Sequence, residues 1–584
     1  MVRFRLRVNN PGKYVPLVDV LKHYRRDDFG HDLAAGLVVG VITVPQAIAY
    51  AFLAGLPPQA GLYACLVPMV IYAILGSSRH LVVGPVAVAA LMVSAMVSEY
   101  APQHSDAYLG ITTIVCLQAG LFLWLLRASN MGGVVNLLSH PVIVGFVNAA
   151  ALMIIISQLN AFTGVAQTVE EGNPLQRAAN LITDIGQYNP TTLKIAVGCL
   201  LGLWLVQRWA VPITHLIMPG LRAEHPLRRL GPIMVASLAT LTVWGFDLAE
   251  TAGVATIGHV PSGLPGLTLP AFDWDLWLQL APGSAMIAVV AYVESYSIGT
   301  MLATRKRTRI NANQELIALG AANIGAALTG AYPVAGSFTR SSVNYQSGAR
   351  TSVSSLVCAV VIIVTLLFLT PLFTYMPHAV LAAIVIMSIS SLIDLRSFRS
   401  HWRIYPEDSI TQVVTFLTVL LLGVETGLIT GVALSIAFFV RQSSRPHVTM
   451  VGRVPDTQHF RSARRHSVQT MDHITALRVD ENVYFANANQ IESKLLKAVQ
   501  RRPQTRHLLL VCSAVNKVDI SGLEMLSRIN QNLERMHILL HLSEVKGPVM
   551  DQLEATEFLS ALTGRVFFTT DQAMHDLAES DDAP

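Results

Sequence analysis

The chain has 584 residues, of which 52% are hydrophobic and 13% are charged, and its formal net charge is +4. The charged fraction is about half of the share found in soluble globular domains, so the composition excludes an ordinary soluble protein. It predicts a polytopic membrane protein instead.

Thirteen apolar runs are long enough to cross the ~30 Å hydrocarbon core of a bilayer. In chain order they cover residues 33–52, 61–76, 81–97, 108–126, 134–156, 193–207, 230–246, 283–303, 314–332, 353–370, 378–392, 409–422 and 426–440. The last two runs count separately, because a single helix across both would be about 48 Å long. In addition, Gly423, Val424 and Glu425 interrupt it.

The distribution of Lys and Arg between the runs predicts their orientation, since cytoplasmic loops carry the excess of these residues. The N-terminal segment 1–32 is rich in Arg and is predicted to be cytoplasmic, and basic residues fill every second connection as far as 305–309. Beyond this point, thirteen spans would leave Arg350 and the basic stretch 441–465 on the outside. One further crossing between Gly330 and Arg350 returns both to the cytoplasm.

The fourteenth crossing is therefore the polar segment 337–348, which a search for apolar runs passes over. Fourteen spans divide into seven and seven, and an odd number per half gives the halves opposite orientations, which is an inverted repeat. The third and tenth spans are then equivalent, and they begin at Gly84-Pro85 and at 333–336. Because irregular backbone persists at membrane depth only where protein or a water-filled cavity covers it, we expect two half-helices facing a buried site.

The expected ligand of this site is an anion. Helix N-termini present unpaired N–H groups and positive dipole ends, and Arg340 adds a planar head with several donors that suits oxyanions. The hydroxyl groups of Ser337, Thr339 and Ser341 could donate hydrogen bonds to it. Two alternatives stay open for Arg340: it extends to the cytoplasmic interface, or it pairs with an acid for structural reasons.

Glu294, in the middle of the eighth span, is the expected coupling group. A carboxylate in that setting is costly unless it is paired, protonated or bound to a cation, so it would carry a proton or a sodium ion. The alternative is a bridge between Glu294 and Arg340 that only joins two helices. In the first span, Gln46 and Tyr50 share one helix face, where Gln46 contacts either the substrate or a neighbouring helix.

Three stretches of the chain carry a resemblance to a known family. They are 44–51 (Val-Pro-Gln-Ala-Ile-Ala-Tyr-Ala) followed by 53–58 and 61–63, the pair Gly84-Pro85, and 338–341 (Phe-Thr-Arg-Ser). They resemble the SulP anion permeases, called the solute carrier 26 family in animals, and the resemblance covers nearly the whole chain.

Membership of that family implies a core domain of spans one to four and eight to eleven, a gate domain of the other spans, elevator-like movement of core against gate, and a homodimer. It also implies an anion site, which carries over here to Gln46, Tyr50, Pro85, Val86, Phe338, Thr339 and Arg340. Some bacterial relatives place a sodium-binding carboxylate in the eighth span, where this chain has the longer Glu294.

After residue 441 the composition becomes that of a soluble α/β domain. Predicted strands at 474–479, 483–485, 507–515, 538–542 and 566–570 alternate with predicted helices at 490–501, 522–536, 549–558 and 571–577. The sequences at 484–488 and 519–522 resemble the STAS domain, a relative of anti-sigma-factor antagonists. The resemblance implies a regulatory phosphorylation site at Ser521. The alternative is that Asp519 and Ser521 only begin a helix with good capping chemistry.

The predicted fold class is a polytopic α-helical membrane protein, with 14 spans in a 7+7 inverted repeat of core and gate domains, plus a cytoplasmic α/β STAS domain. The predicted boundaries are 1–32 for the N-terminal segment, 33–441 for the transport domain, 442–471 for a linker and 472–584 for the STAS domain. The basic linker is expected to be a solvated connector, with contact to anionic lipid headgroups as the alternative.

The predicted function is secondary active import of a small oxyanion, sulfate first, coupled to protons or sodium ions through Glu294. Bicarbonate or a C4-dicarboxylate is the alternative substrate, and an anion channel or a STAS-based docking protein is the alternative class. We expect no enzyme activity, no cofactor, no metal other than sodium near Glu294, and no nucleic acid partner. We expect a homodimer in the inner (plasma) membrane, with both termini in the cytoplasm. We also expect the STAS domain to have a cytoplasmic partner.

Overall fold

The computed structural model of the chain describes residues 15–133, 139–165, 186, 188–217, 231–270, 272–390, 392–394, 396, 398, 402–403 and 405–579. Parts of the predicted segments lie outside these described residues, namely 1–14, 134–138, 230, 391 and 580–584. Internal contacts divide the chain into two compact units, Met1–Ala433 and Leu434–Pro584. The first unit is almost entirely helical, and the second is α/β.

The helices of the first unit follow the predicted spans in order. They are α1 Pro16–Lys22, α2 Arg26–Leu53, α3 Pro58–Ala64, α4 Val67–Leu75, α5 Ala87–Val97, α6 Asp106–Ala128, α7 His140–Thr163, α8 Pro190–Ile217, α9 Gly231–Gly245, α10 Leu248–Thr251, α11 Trp274–Arg305, α12 Ala312–Leu328, α13 Phe338–Gln346, α14 Val353–Val364, α15 His378–Ser390, α16 Pro406–Leu422 and α17 Val424–Ser443, which continues into the second unit. Each of the fourteen predicted spans coincides with one or two of these helices.

Helix length distinguishes two groups of spans. Seven helical segments in the described part of the chain are long and apolar enough to cross a membrane by length and composition. They are Arg26–Leu53, Pro58–Leu75 (α3 and α4 together), Asp106–Ala128, His140–Thr163, Trp274–Arg305, Val353–Phe373 (α14 with the π-helix Thr365–Leu369 and the 3-10 helix Thr370–Phe373 that continue it) and Val424–Ser443. By contrast, α5 has 11 residues and α13 has 9. At ~1.5 Å per residue, neither can cross a ~30 Å core alone, so both are half-helices.

Small residues bring α2 against α14. A methyl group built on Gly36 would lie 2.4 Å from the carbonyl oxygen of Ser354, and one built on Gly40 would lie 2.7 Å from Cβ of Val361. The two glycines are four residues apart, so they form one flat stripe on α2. This is the small-residue spacing that lets helix backbones approach closely in membranes, where packing rather than the hydrophobic effect joins helices.

The two half-helices start from one short antiparallel pair of strands. Strand β1 (Val83–Gly84) leads into α5, and β2 (Ala335–Gly336) leads into α13, with Val83 opposite Gly336 and Gly84 opposite Ala335. The N–H of Ser337 extends the pair by donating to the carbonyl oxygen of Val82 over 3.0 Å. The pairing satisfies backbone groups that a broken helix leaves open, and it fixes the two helix starts side by side.

The second unit is built on a six-stranded sheet. Its elements are β3 Val448–Arg453, β4 Phe460–Ser462, β5 Ile474–Val479, α18 Ala488–Gln500, β6 His507–Val511, α19 Ile520–Arg535, β7 Leu539–Ser543, α20 Gly547–Glu554, α21 Phe558–Ala561, β8 Val566–Phe567 and α22 Thr570–Glu579. The strand order is β4-β3-β5-β6-β7-β8. Strands β5 to β8 are parallel, while β3 pairs antiparallel with both β4 and β5.

Two features of this sheet differ from the sequence predictions. The segment 442–471, predicted as a linker, contributes β3 and β4 to the sheet. The predicted strand 483–485 is wrong, because only Val483 pairs, through an isolated bridge to Val518. The backbone then turns at once into α18, since the N–H of Tyr484 donates to the side chain of Asn487 over 3.0 Å.

Candidate functional site

A small cavity lies at the facing starts of the two half-helices. Its volume is about 30 Å³, which is room for one or two water molecules. Val86, Ala87 and Val88 line it from the start of α5, and Ser337, Phe338 and Thr339 line it from the start of α13. The remaining wall consists of Tyr50, Glu294, Ser388, Ile389 and Leu392. The cavity thus brings together six of the predicted site residues: Tyr50, Val86, Glu294, Ser337, Phe338 and Thr339.

Gln46 joins the first span to the second half-helix. Its Nε2 donates to the hydroxyl of Tyr50 over 2.8 Å and to Oγ1 of Thr339 over 3.3 Å. Oγ1 of Thr339 is also 3.2 Å from Oγ of Ser337. The four side chains form one chain of hydrogen bonds along the edge of the cavity. Gln46 therefore contacts a neighbouring helix, and it does so through a cavity-lining residue.

Arg340 lies behind the cavity rather than in its wall. The residue is 1% exposed, so it does not extend to the membrane interface. Its Nη2 donates to the carbonyl oxygen of Pro85 over 2.6 Å, and its Nη1 is 3.6 Å from Sγ of Cys65. Gly84 makes room for this arrangement, because a methyl group there would lie 2.9 Å from Nη1. The guanidinium group thus ties α13 to the chain break in front of α5.

Glu294 is half-buried in the cavity wall. In the part of the chain that the structure describes, it makes no hydrogen bond or salt bridge, so the alternative of a Glu294–Arg340 bridge is not realised here. The next residue, Ser295, accepts a hydrogen bond from the N–H of Gly336 over 2.7 Å and donates to Ala291 over 2.5 Å. The helix that carries Glu294 is therefore attached directly to the start of the second half-helix.

Among the buried polar atoms of this region, Oε1 of Gln46 and Nε of Arg340 have no partner among the described residues. Because most buried polar groups in proteins are paired, such atoms call for an explanation, and functional sites are one. The electrostatic arrangement also separates opposite charges. The positive end of each half-helix and the charge of Arg340 lie around one side of the cavity, and the carboxylate of Glu294 lies in its wall. This arrangement of charges favours an anion beside a protonated or cation-bound carboxylate.

The structure also gives one predicted donor a different role, and it shows site residues that the sequence analysis did not predict. Oγ of Ser341 accepts a hydrogen bond from the N–H of Val82 over 2.9 Å and is fully buried, so it anchors β1 instead of facing the cavity. Ser295 was missed, although its place next to Glu294 was a signal. Ser388 and Ile389 on α15 were missed as well, because an apolar helix gives no sign of which face meets a cavity.

In the second unit, Ser521 is the second residue of α19. Asp519 is the N-cap of this helix: its Oδ1 accepts from the N–H of Gly522 over 2.8 Å, and its Oδ2 accepts from the N–H of Phe485 over 2.8 Å. Asp519 thus provides the capping chemistry, and Ser521 is half-exposed beside it. Its hydroxyl makes no hydrogen bond to any described residue.

Two parts of the chain match known protein families, and similar proteins cover most of its length. Residues 29–415 match the sulfate permease family and residues 465–573 match the STAS domain. The chain is 33% identical to the probable sulfate transporter 4.2 of Arabidopsis thaliana, over 94% of this chain and 81% of that one. It is 34% identical to the chloroplastic sulfate transporter 4.1 of the same plant, over 90% and 76%. It is 30% identical to the high affinity sulfate transporter 2 of Stylosanthes hamata, over 96% and 85%.

Solved structures show the same fold. The murine solute carrier 26 family member A9 anion transporter, in the inward-facing state, superposes with a TM-score of 0.89 at 22% identity, over 99% of this chain and 96% of that one. The transmembrane domain of a cyanobacterial bicarbonate transporter, BicA, superposes with a TM-score of 0.58 at 23% identity, over 70% and 98%. The predicted fold class is confirmed: 14 spans in a 7+7 inverted repeat of core and gate domains, followed by a STAS domain. The chain belongs to the sulfate permease family, which is a family of membrane transporters and not of enzymes, and it carries the STAS domain at its C-terminal end.

Proposed function

We propose that this protein is a secondary active transporter that imports a small oxyanion, sulfate first, coupled to protons or sodium ions. The observation that carries the proposal is the cavity between the two half-helix starts, with the carboxylate of Glu294 in its wall. The names of the similar plant proteins, which are sulfate transporters, support sulfate as the first substrate to test.

The anion is held by the half-helix starts. Their positive dipole ends favour negative charge, and the hydroxyls of Ser337 and Thr339, which line the cavity, would donate to its oxygens. Arg340 supplies positive charge from behind while it keeps the two half-helices together through Pro85. In this proposal the substrate-binding residues are Gln46, Tyr50, Pro85, Val86, Phe338, Thr339 and Arg340.

Glu294 couples the anion to the ion gradient. An unpaired carboxylate beside a bound anion is unfavourable, because like charges at close range repel in a medium of low dielectric constant. A proton or a sodium ion on Glu294 removes this repulsion, so loading of the anion and of the cation becomes mutually favourable. Movement of the site across the membrane is then favoured when both are bound, as an elevator-type movement of the core domain against the gate domain.

The cellular setting is part of the same proposal. In this proposal the protein is a homodimer in the inner (plasma) membrane, and both of its termini are cytoplasmic. The distribution of basic residues and the family resemblance support this assignment. The STAS domain then meets cytoplasmic partners, and Ser521 is the residue through which phosphorylation would act on them.

Uptake into proteoliposomes tests the proposal. Purified protein is reconstituted, and labelled sulfate, bicarbonate and succinate are offered under an imposed proton gradient, an imposed sodium gradient or neither. Glu294→Gln removes the charge that binds the coupling ion, and Thr339→Val removes one hydroxyl from the cavity. Glu99→Gln is the matched control, because Glu99 is an exposed carboxylate outside the cavity.

We expect gradient-driven sulfate uptake that Glu294→Gln abolishes, that Thr339→Val weakens through a higher KM, and that Glu99→Gln leaves unchanged. Uptake of bicarbonate or succinate instead of sulfate would show that the proposed substrate is wrong, while the proposed coupling mechanism would stand. Full gradient-driven uptake by Glu294→Gln would remove Glu294 from the coupling, and passive flux without gradient dependence would favour a channel. Absence of flux for all three anions would reject the transporter proposal and favour a docking protein.

A further inference from the structure

The second unit contains a large open cavity lined by basic residues, here called the basic groove. Its main part has a volume of about 840 Å³ and adjoins a second part of about 400 Å³. Its basic residues are Arg445, His447, Arg461, Arg464, Arg465, His466, Arg478 and Lys494. A cavity of this size is in the range of sites that hold a whole small molecule, and it is far larger than a single inorganic anion requires.

The fold gathers these residues from four separate places. The first segment leaves α17 and enters β3, the second lies in and just after β4, Arg478 lies in β5, and Lys494 comes from α18. After β4 the chain turns back tightly, with Arg465 and His466 both donating backbone hydrogen bonds of 3.0 Å to Ser462. Nζ of Lys494 donates to the carbonyl oxygen of Pro446, which fixes the opposite wall. The basic groove is thus a built feature of the sheet edge and not a stretch of extended linker.

Most of its basic residues have no acidic partner among the residues that the structure describes. Asp480 is the acidic residue of the lining, and it is held by His447 over 2.7 Å and by Arg478 over 2.5 Å. Among the described residues, no salt bridge or side-chain hydrogen bond engages Arg445, Arg464 or Arg465. Three exposed guanidinium groups therefore face one cavity with their donors open. Guanidinium groups bind phosphate oxygens in pairs of parallel hydrogen bonds, so the chemistry of the basic groove is that of a phosphate site.

Only a short piece of chain separates the first residue of the basic groove from the helix of the last predicted span. Arg445 is two residues beyond Ser443, the last residue of α17, and two residues span at most about 7 Å. Under the proposed topology this end of α17 is cytoplasmic, where anionic lipid headgroups attract basic segments within roughly one Debye length, about 8 Å at physiological salt.

We propose that the basic groove binds the phosphate groups of an anionic phospholipid headgroup at the cytoplasmic membrane surface. The lipid phosphates pair with Arg445, Arg464 and Arg465, and the hydroxyls of Thr449 and Ser462, which are 2.9 Å apart in the same lining, supply further donors. Binding would hold the β3–β4 hairpin of the second unit against the bilayer next to the last span.

Hydrogen–deuterium exchange on the full-length protein in lipid nanodiscs tests this site. One set of nanodiscs contains phosphatidylcholine alone, and the other contains phosphatidylcholine with cardiolipin or phosphatidylglycerol. The variant Arg464→Gln/Arg465→Gln removes two charges from the basic groove. The control variant Arg501→Gln/Lys517→Gln removes two exposed charges elsewhere in the second unit. A third arm adds sodium pyrophosphate to the phosphatidylcholine nanodiscs, to separate a soluble phosphate ligand from a lipid.

We expect exchange in residues 463–467 to slow by at least about threefold in anionic nanodiscs. The slowing should be lost in Arg464→Gln/Arg465→Gln and kept in the control variant. Equal exchange in both lipid compositions, or slowing that survives Arg464→Gln/Arg465→Gln, overturns the proposal. Slowing by pyrophosphate without any slowing by anionic lipid also overturns it, because the ligand would then be a soluble phosphate compound.

Discussion

Arg340 donates a 2.6 Å hydrogen bond to the carbonyl oxygen of Pro85 and thereby joins the two half-helices. The acceptor exists because α5 begins only at Ala87, so the carbonyl of Pro85 has a free lone pair at the chain break. The donor is fully buried and comes from the opposite half of the inverted repeat. The bond couples the geometry of the cavity to a single charged side chain.

Replacement of Arg340 therefore affects both binding and architecture. Arg340→Gln removes the charge and leaves the buried carbonyl of Pro85 without its donor, which costs about 1–3 kcal/mol. We expect sulfate uptake to fall by at least about tenfold, the equivalent of about 1.4 kcal/mol in the transition state. Arg340→Lys keeps the charge without the planar head, so it should retain part of the uptake. Uptake assays with thermal stability measurements check both variants. Wild-type uptake by Arg340→Gln would contradict this role.

Gly84→Ala tests the same contact from the other side. The added methyl group would lie 2.9 Å from Nη1 of Arg340, closer than atoms approach without displacement, so the guanidinium group must move. We expect folded protein with reduced sulfate uptake. Gly110→Ala is the control, because nothing lies within 4 Å of a methyl group there and alanine favours a helix by about 1 kcal/mol. Equal uptake by both variants would show that the position of Arg340 does not limit transport.

Ser295→Ala tests the attachment of the Glu294 helix to the second half-helix. The buried hydroxyl accepts from the N–H of Gly336 over 2.7 Å, and its removal leaves that N–H unpaired at a cost of about 1–3 kcal/mol. Ser284→Ala on the same helix is the control, because the buried hydroxyl of Ser284 has no partner among the described residues. Thermal unfolding should show a lower transition temperature for Ser295→Ala, and no loss for Ser284→Ala. A reversed order would refute the attachment.

Spans and site residues could be predicted wherever the charge distribution or the residue spacing constrained them. The polar tenth span followed from charges on either side of it, because Arg350 could not be cytoplasmic without it. Gln46 and Tyr50 are four residues apart, so a helix had to place them on one face. The direction of Arg340 was not predictable in this way. Its long side chain can reach either the cavity or a carbonyl group, and the choice depends on the backbone break at Pro85, which no spacing reveals.

The sequence also does not reveal which hydroxyl side chains of α13 face the cavity. Thr339 and Ser341 are both small hydroxyl residues, yet Thr339 lines the cavity and Ser341 accepts a hydrogen bond from the N–H of Val82, just before β1. Residues two positions apart on a helix differ by about 200° in direction, so only one of these two side chains can face the cavity. Which one does so depends on the direction in which the chain leaves β2, and the sequence does not show that direction. The strands β3 and β4 were missed for another reason: their basic residues resemble a solvated linker, and only pairing with β5 makes them a sheet edge.

The buried side chain of His541 is expected to make the stability of the STAS domain depend on pH. It is 2% exposed on β7, its Nδ1 accepts from the N–H of Arg565 over 3.1 Å, and its Nε2 is 3.1 Å from Nδ1 of His507. Burial, with the nearby charges of His507 and Arg565, lowers the pKa of His541 from 6.5 to about 4. The unfolded chain therefore binds this proton more tightly than the folded domain does, so folding excludes it.

The difference between the two pKa values determines how stability changes with pH. Stability from His541 is fully present above pH 6.5 and is lost as the pH falls from 6.5 to about 4, by a total of about 3 kcal/mol at 1.36 kcal/mol per pKa unit. Hydrogen exchange of the amides in β6 and β7, measured in the full-length protein and corrected for intrinsic rates, should accelerate across this window. His541→Asn keeps an acceptor for Arg565 but does not titrate, so it should flatten the dependence, whereas His459→Gln at an exposed position should not. An unchanged slope in His541→Asn would assign the acid response to other groups.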